Sequence, residues 1–456
     1  MSFYQLTYII PPLLALLLVI ITKKPILSLI ISIVSGLFVL YGMNILPNTF
    51  VILKKILMNG WNIKLIFGLL ILGGFIGIIE KQFHNKDVII SKFFNSKKKV
   101  LLIGWLSGLL LFIDDYFNIL LNGVFLNSIT KKYNISKAKI AYLIHSLGVT
   151  SCVLIPFSTW TVYIISIIKN LNLENGFGIY VHSIPYNFYA ISLVFITLAV
   201  ILYEINILGM KKEEDSQKLI SYKSSKNGSL SIKELLLPAV MLIFVSFILI
   251  SINVIYLLKN NVRSIAEIIA KLNFTDILFY LSIISTIFVV IYFYNKTNNL
   301  KFILKSFVFG SKQMSSAVVI LILAWVLGEV TLKLNTASII IEASKGFLSS
   351  GVIVLAVFII TAILAFMTSS WAMFAIAIPI LLPLGMAQGI NPSLIVAAIV
   401  SGGIFGDHTS PLSSTTILTK AVAKIEIDKH FHTQLPYNLI SFVISGYLFF
   451  LIGGVK

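Results

Sequence analysis

Apolar runs dominate this chain, and the polar positions that interrupt them define its elements. Runs at 3–22, 25–46, 63–79, 184–208, 235–258, 276–294, 312–332 and 436–454 suit helices that cross a membrane, whose hydrocarbon is about 30 Å thick. Four further stretches are apolar but broken. Residues 100–130 hold Asp114, Asp115 and Asn118 in their middle, and 138–168 hold Pro156 with a polar cluster. Residues 350–387 hold Thr368, Ser369 and Ser370, and 393–419 hold Asp407, His408 and Pro411. A polar segment, 209–234, separates the two halves.

The broken stretches pair along one diagonal. Asp114-Asp115-Tyr116 aligns with Ser369-Ser370-Trp371, Ser146 and Gly148 with Ser401 and Gly403, Pro156 with Pro411, and Gly73 with Gly328. The order and spacing predict an internal repeat. If 100–130 and 350–387 are re-entrant hairpins and 138–168 and 393–419 are interrupted spans, each half has an odd number of spans, so the halves are inverted. The expected fold is an all-α polytopic membrane protein. It has two inverted repeats, 1–208 and 235–456, joined by a cytoplasmic linker at 209–234, each with five spanning helices and one hairpin and with broken helices at the midplane. Such repeats are an architecture of secondary transporters. Backbone that leaves the helix at membrane depth needs protein or a water-filled cavity to receive it.

Composition strengthens this picture. The 456 residues are 58% hydrophobic and only 11% charged, where soluble domains hold about a quarter charged residues. The net charge is +18, but the lysines lie between apolar runs and suggest no nucleic-acid partner. Of the 35 basic residues, 25 fall in segments this topology places inside and 10 outside. Cytoplasmic loops carry such an excess, so the N-terminus is expected outside, in the plasma (inner) membrane of a bacterium. Residues 1–22 lack a basic leader and a small-residue cleavage site, and read as a retained helix. Cys152 is the single cysteine, which excludes an internal disulfide and a cysteine-built metal centre.

Asp114, Asp115 and Asn118 are the sharpest chemical signal. An ionised group at the bilayer centre costs a few kcal/mol even on lenient scales, about 3 kcal/mol, and two adjacent carboxylates repel. A cation or a proton would relieve both. Asp407 is a further carboxylate for ion or proton, and His408 could relay protons or sense pH. Ser158, Thr159, Thr368, Ser369, Ser370, Ser413 and Thr415 supply hydroxyls beside the breaks, as ligands or as caps. His145 and Glu329 are candidates for a proton path; Glu329 could instead pair with Lys333 at the outer boundary. No HExxH is present, and Gly403 and Gly406 are wrongly spaced before Asp407 for an intramembrane aspartyl protease, so no enzyme is expected. No cofactor is expected, nor any metal beyond transported Na+.

The segments FIDDYFN (112–118), PFSTW (156–160), LAWVLG (323–328), TSSW (368–371), GDHTSPLSSTTIL (406–418) and HTQLPY (432–437) resemble the NhaC family of sodium/proton antiporters. The resemblance implies exchange of Na+ for H+, a scaffold with a mobile transport domain, a homodimer, and ion sites at Asp114, Asp115, Asn118, Asp407 and His408. The chain departs from the family pattern at Ser414, where an Asp is usual, and at Glu329, where a small residue is expected. Two readings follow: a sodium/proton antiporter working by carboxylate competition, or a sodium- or proton-coupled carrier of a small organic anion (malate- or lactate-like) or amino acid. The absence of an arginine at the site favours the cation reading.

Overall fold

The computed structural model describes residues 3–83, 87–89, 96–173, 175–217, 229–264, 268, 271–336, 349–411 and 413–454. In chain order its helices are α1 (Phe3–Thr22), α2 (Pro25–Tyr41), α3 (Ile45–Leu57), α4 (Gly60–Phe83), α5 (Lys97–Leu110), α6 (Asp115–Tyr133), α7 (Lys137–Leu154), α8 (Thr159–Lys169), α9 (Gly176–Ser183) and α10 (Phe188–Leu202). Then follow α11 (Gly209–Gln217), α12 (Ile232–Lys259), α13 (Phe274–Thr297), α14 (Leu300–Lys333), α15 (Ser350–Met367), α16 (Ser370–Ala387), α17 (Pro392–Thr409), α18 (Ser414–Ala423) and α19 (Ile427–Gly454). One parallel strand pair, β1 (Asp87–Ile89) with β2 (Ser229–Ser231), is the β-structure among the described residues.

Seven helices are each long and apolar enough to cross a membrane, and three bent pairs raise the number to as many as ten. Apart from that short strand pair the described residues form helices, and the protein is a multi-pass membrane protein. Both broken stretches end at a proline, whose missing N–H and fixed φ stop the ladder. The chain restarts one turn later on a serine cap: Ser158 accepts from the Thr161 N–H, and Ser413 from the Thr415 N–H. The helix starts repeat along the chain. α6, α7 and α8 begin at 115, 137 and 159, and α16, α17 and α18 begin at 370, 392 and 414.

Three boundaries differ from the sequence expectation. The run 25–46 is a helix only to Tyr41: Gly42 takes φ 57°, and α3 departs at 114° carrying Lys54 and Lys55. The run 184–208 is a helix only to Leu202, and its other half lies upstream. Pro185 and Asn187 sit at the joint between α9 and α10, which bend by 43°. Finally, the first hairpin runs from Lys97 to Tyr133, beyond the expected 100–130, with arms of 14 and 19 residues, against 18 in each arm of the second, about 27 Å of rise apiece.

Charged contacts sort the loops into two faces. Lys97 and Lys139 meet Glu214 at 2.5 and 3.3 Å, Lys429 meets Glu213 at 3.2 Å, Lys296 pairs with Glu234, and Lys81 lies over Phe309. On the other face Lys64 meets Asp276 at 2.7 Å, Lys55 meets Glu329 at 2.9 Å, and Lys169 lies over Trp61. None of these contacts joins the two sets. The described part of the segment between the halves is thus a docked element. α11 seats Glu214 on Lys97, Lys139 and the Ser136 N–H. Burial opposes its charge, but Lys139 and the hydrogen bonds from Lys97 and Ser136 outweigh it and hold the Glu214 carboxyl down at about 2.

α4 and α14 cross closely at glycines. A Cβ on Gly310 would lie 2.1 Å from the Gly73 carbonyl oxygen and 2.7 Å from Gly77 Cα, so only hydrogen fits there.

Candidate functional site

The first hairpin turns between Leu110 and Asp115, and its tip is tied to the first break. The Thr159 N–H donates to the Ile113 carbonyl at 2.9 Å, and the Thr159 hydroxyl donates to Asp114 Oδ2 at 2.9 Å. Asp114 Oδ1 accepts the Phe117 N–H at 3.1 Å and so caps α6. Both Asp114 oxygens are therefore satisfied.

Asp115 differs. It is 1% exposed, and neither carboxylate oxygen has a hydrogen-bond partner. The Trp160 indole lies beside it short of a hydrogen bond, and Asp114 and Asp407 are the charged groups that face it. Asn118, one turn on, donates to the Gly108 carbonyl at 2.6 Å and to Ser151 at 3.1 Å, which leaves its buried Oδ1 without a donor. Three side-chain oxygens thus lie buried and unanswered on the first turn of α6. Unmatched buried acceptors are costly; a cation, or a proton on the carboxylate, would answer them.

The second cluster is built around Asp407, at the end of α17. Its Oδ1 accepts from Ser370 at 3.0 Å and Ser413 at 2.8 Å, and its Oδ2 accepts from Thr415. The His145 ring, from α7, brings Nε2 to 3.6 Å of Oδ2. Hydroxyls from the second hairpin and the second break converge with a histidine of the first half on one carboxylate.

The other candidates fall elsewhere. His408 reaches the Tyr189 hydroxyl with Nδ1 at 3.2 Å, has no partner on Nε2, and stands edge-on to His145. Ser158 caps α8 and donates to the Cys152 carbonyl. Thr368 donates to the Leu364 carbonyl, and Ser369 caps α16. Glu329 does not pair with Lys333. α3 brings Lys55 onto it, and Lys333 bonds the Tyr41 hydroxyl instead.

Several residues at the site were not singled out from the sequence: Trp160, Tyr189, His430, Gln434 and Asn438. The last three had a signal. His430, Gln434 and Asn438 are spaced four apart, a polar stripe along one face of an apolar helix, and all three are buried. Between α4, α14 and the second hairpin tip lies a cavity of ≈ 520 Å³, whose polar lining includes Glu80, Tyr116, Gln313, Ser369 and Ser414.

The sequence pattern of the Na+/H+ antiporter family matches residues 151–453. An uncharacterised protein of Haemophilus influenzae is 26% identical over 97% of this chain and 91% of its own length. The malate-2H+/Na+-lactate antiporter of Bacillus subtilis is 32% identical over 24% of this chain and 23% of its own. Among solved structures, the YdaH transporter of Alcanivorax borkumensis superposes with a TM-score of 0.60 at 14% identity, covering 90% of this chain and 88% of that one. The family match takes in Asp407 and His408 but begins after Asp114, Asp115 and Asn118.

Proposed function

The chain belongs to the Na+/H+ antiporter family, and from that premise we propose that it exchanges Na+ for H+ by competition at Asp115, with alternating access between two inverted halves. It is a secondary transporter, not an enzyme. The observation that carries the exchange reading is the unanswered pair of Asp115 oxygens beside Asn118 Oδ1. Acceptor-only oxygens in a low-dielectric site take either a cation or, on the carboxylate, a proton. Asp407 is different, because three hydroxyls already donate to its oxygens; they leave little room for Na+ and favour the ionised carboxylate, so we assign it transient protonation rather than Na+. The matching helix starts in the two halves support the repeat, and the separation of charged contacts into two faces supports the lysine-rich face as cytoplasmic.

Competition has a measurable signature. Below the carboxyl's pKa the apparent sodium dissociation constant rises about tenfold per pH unit for each competing proton, and sodium binding releases protons in return. We expect sodium-induced proton release from detergent-solubilised protein with no organic solute present, and its loss in Asp115→Asn. Sodium affinity independent of pH, with no proton release, would sink this reading. That outcome would promote the second one, cotransport or exchange of a small organic solute, which is supported by the cavity of ≈ 520 Å³, a volume far larger than an ion needs.

A further inference from the structure

Three histidines from three helices meet behind Asp407: His145 on α7, His408 on α17 and His430 on α19, each buried. His145 Nδ1 and His430 Nε2 are 2.9 Å apart, and His145 Nε2 is 3.1 Å from the Thr415 hydroxyl oxygen and 3.6 Å from Asp407 Oδ2. Donor counting fixes the direction of these bonds. Thr415 has one hydroxyl hydrogen and gives it to Asp407, so toward His145 it can only accept. His145 Nε2 therefore carries a hydrogen. In the neutral ring Nδ1 is then bare and takes the hydrogen of His430 Nε2.

The second state of the ring is also provided for. Gln434 Nε2 donates to the His408 carbonyl at 3.3 Å, which turns Gln434 Oε1 toward His145 Nδ1 at 3.2 Å. That oxygen is answered only when Nδ1 bears a hydrogen. At the far end, His430 Nδ1 is buried with no partner. Its neighbours in sequence lead to the surface, since Lys429 and His432 are 58% and 64% exposed.

We propose that His430 and His145 form a proton wire that equilibrates Asp407 with the lysine-rich face. Water delivers a proton to His430 Nδ1. The Nε2 hydrogen of His430 moves to His145 Nδ1, and the Nε2 hydrogen of His145 moves to the Thr415 hydroxyl oxygen as the Thr415 hydrogen passes to Asp407 Oδ2. One proton is taken up, Asp407 becomes neutral, and both rings stay neutral with their hydrogen shifted to Nδ1, where Gln434 Oε1 holds that of His145. The return runs the same steps backwards. The titratable groups facing the rings are Asp407 and His408 of α17; Tyr189 of α10 bonds His408, Tyr437 of α19 stacks on Tyr142 of α7, and α11 brings Glu213 to Lys429 beside the entrance. The purpose of the wire rests on the exchange reading, but its geometry does not.

The test follows Asp407 directly. After a pH jump on sodium-free, full-length protein, time-resolved infrared spectroscopy reads the carboxyl C=O band that Asp407→Asn removes. His430→Gln keeps a donor but cannot relay, so we expect the band to appear with undiminished amplitude and at least about tenfold more slowly. Added imidazole buffer should restore the rate, which a merely structural role would not allow. Should His430→Gln fail to insert, His145→Gln cuts the wire one step nearer and should slow the band likewise. An unchanged rate, a slowing that imidazole does not rescue, or no Asp407 band at any pH overturns the wire. Absence of sodium-induced proton release in the wild type overturns the exchange reading alone.

Discussion

Asp114, Asp115 and Asp407 differ in what their oxygens meet, and so in what each can hold. Asp114 caps a helix and anchors a break, Asp115 is open, and Asp407 is filled. Glu214, outside the spanning helices, shows a carboxylate that works only as an anchor. Its folded pKa of about 2 lies below the ordinary 4.5, so its stabilisation is fully present above the ordinary value and is lost as pH falls through the folded one. The shift corresponds to about 3 kcal/mol. Glu214→Gln, which leaves Lys139 buried without a counter-charge, should lower the thermal unfolding temperature at pH 7, and the difference from wild type should shrink as the pH is taken toward 3. The sequence showed the aspartates because carboxylates among apolar residues stand out locally. It also offered the hydroxyls that meet them, Thr159, Ser370, Ser413 and Thr415, but not which carboxylate each would meet, and it missed the contact behind them: His145 meets His430 across 285 positions, and nothing near either residue names the other.

At the scale of elements, the breaks and hairpins were legible because proline and clustered polar residues are local stop signals. α7, α8, α17 and α18 begin within one or two residues of a capping serine, asparagine or proline. The bend after α2 was not legible, since a single glycine with φ 57° makes it. The crossing of α4 and α14 was not legible: Gly73 stood out only as the repeat counterpart of Gly328, and nothing marked Gly310 as the residue that meets it. Gly310→Val should cost about 1–3 kcal/mol by forcing the helices apart, seen as a lower melting temperature of the detergent-solubilised protein. Gly60→Ala, on the same α4 but with open space around it, should leave that temperature unchanged.

For the whole molecule, the separation of basic residues between two faces sets a sidedness that chemistry can read. Lys218, in the segment between the halves, lies outside the described residues, but Ser216 is exposed on α11 and Asn172 is exposed beyond α8. Cys152 is buried. In a Cys152→Ser background, Ser216→Cys should react with an impermeant maleimide only in inverted vesicles, and Asn172→Cys only in intact cells. Reaction of both from one side would refute the inverted arrangement.

The polar partners also impose an order on biogenesis. When Asp114 is added to the growing chain, the hydroxyl that will bind it is 45 residues from being made. His145 waits longer, for Thr415 at 270 positions and His430 at 285. Until those segments arrive, the first half carries charges and imidazole rings with no lasting partner in lipid. The nascent hairpin must therefore linger near water or an insertion factor, and the first half reaches its final form only once the last helix is in place.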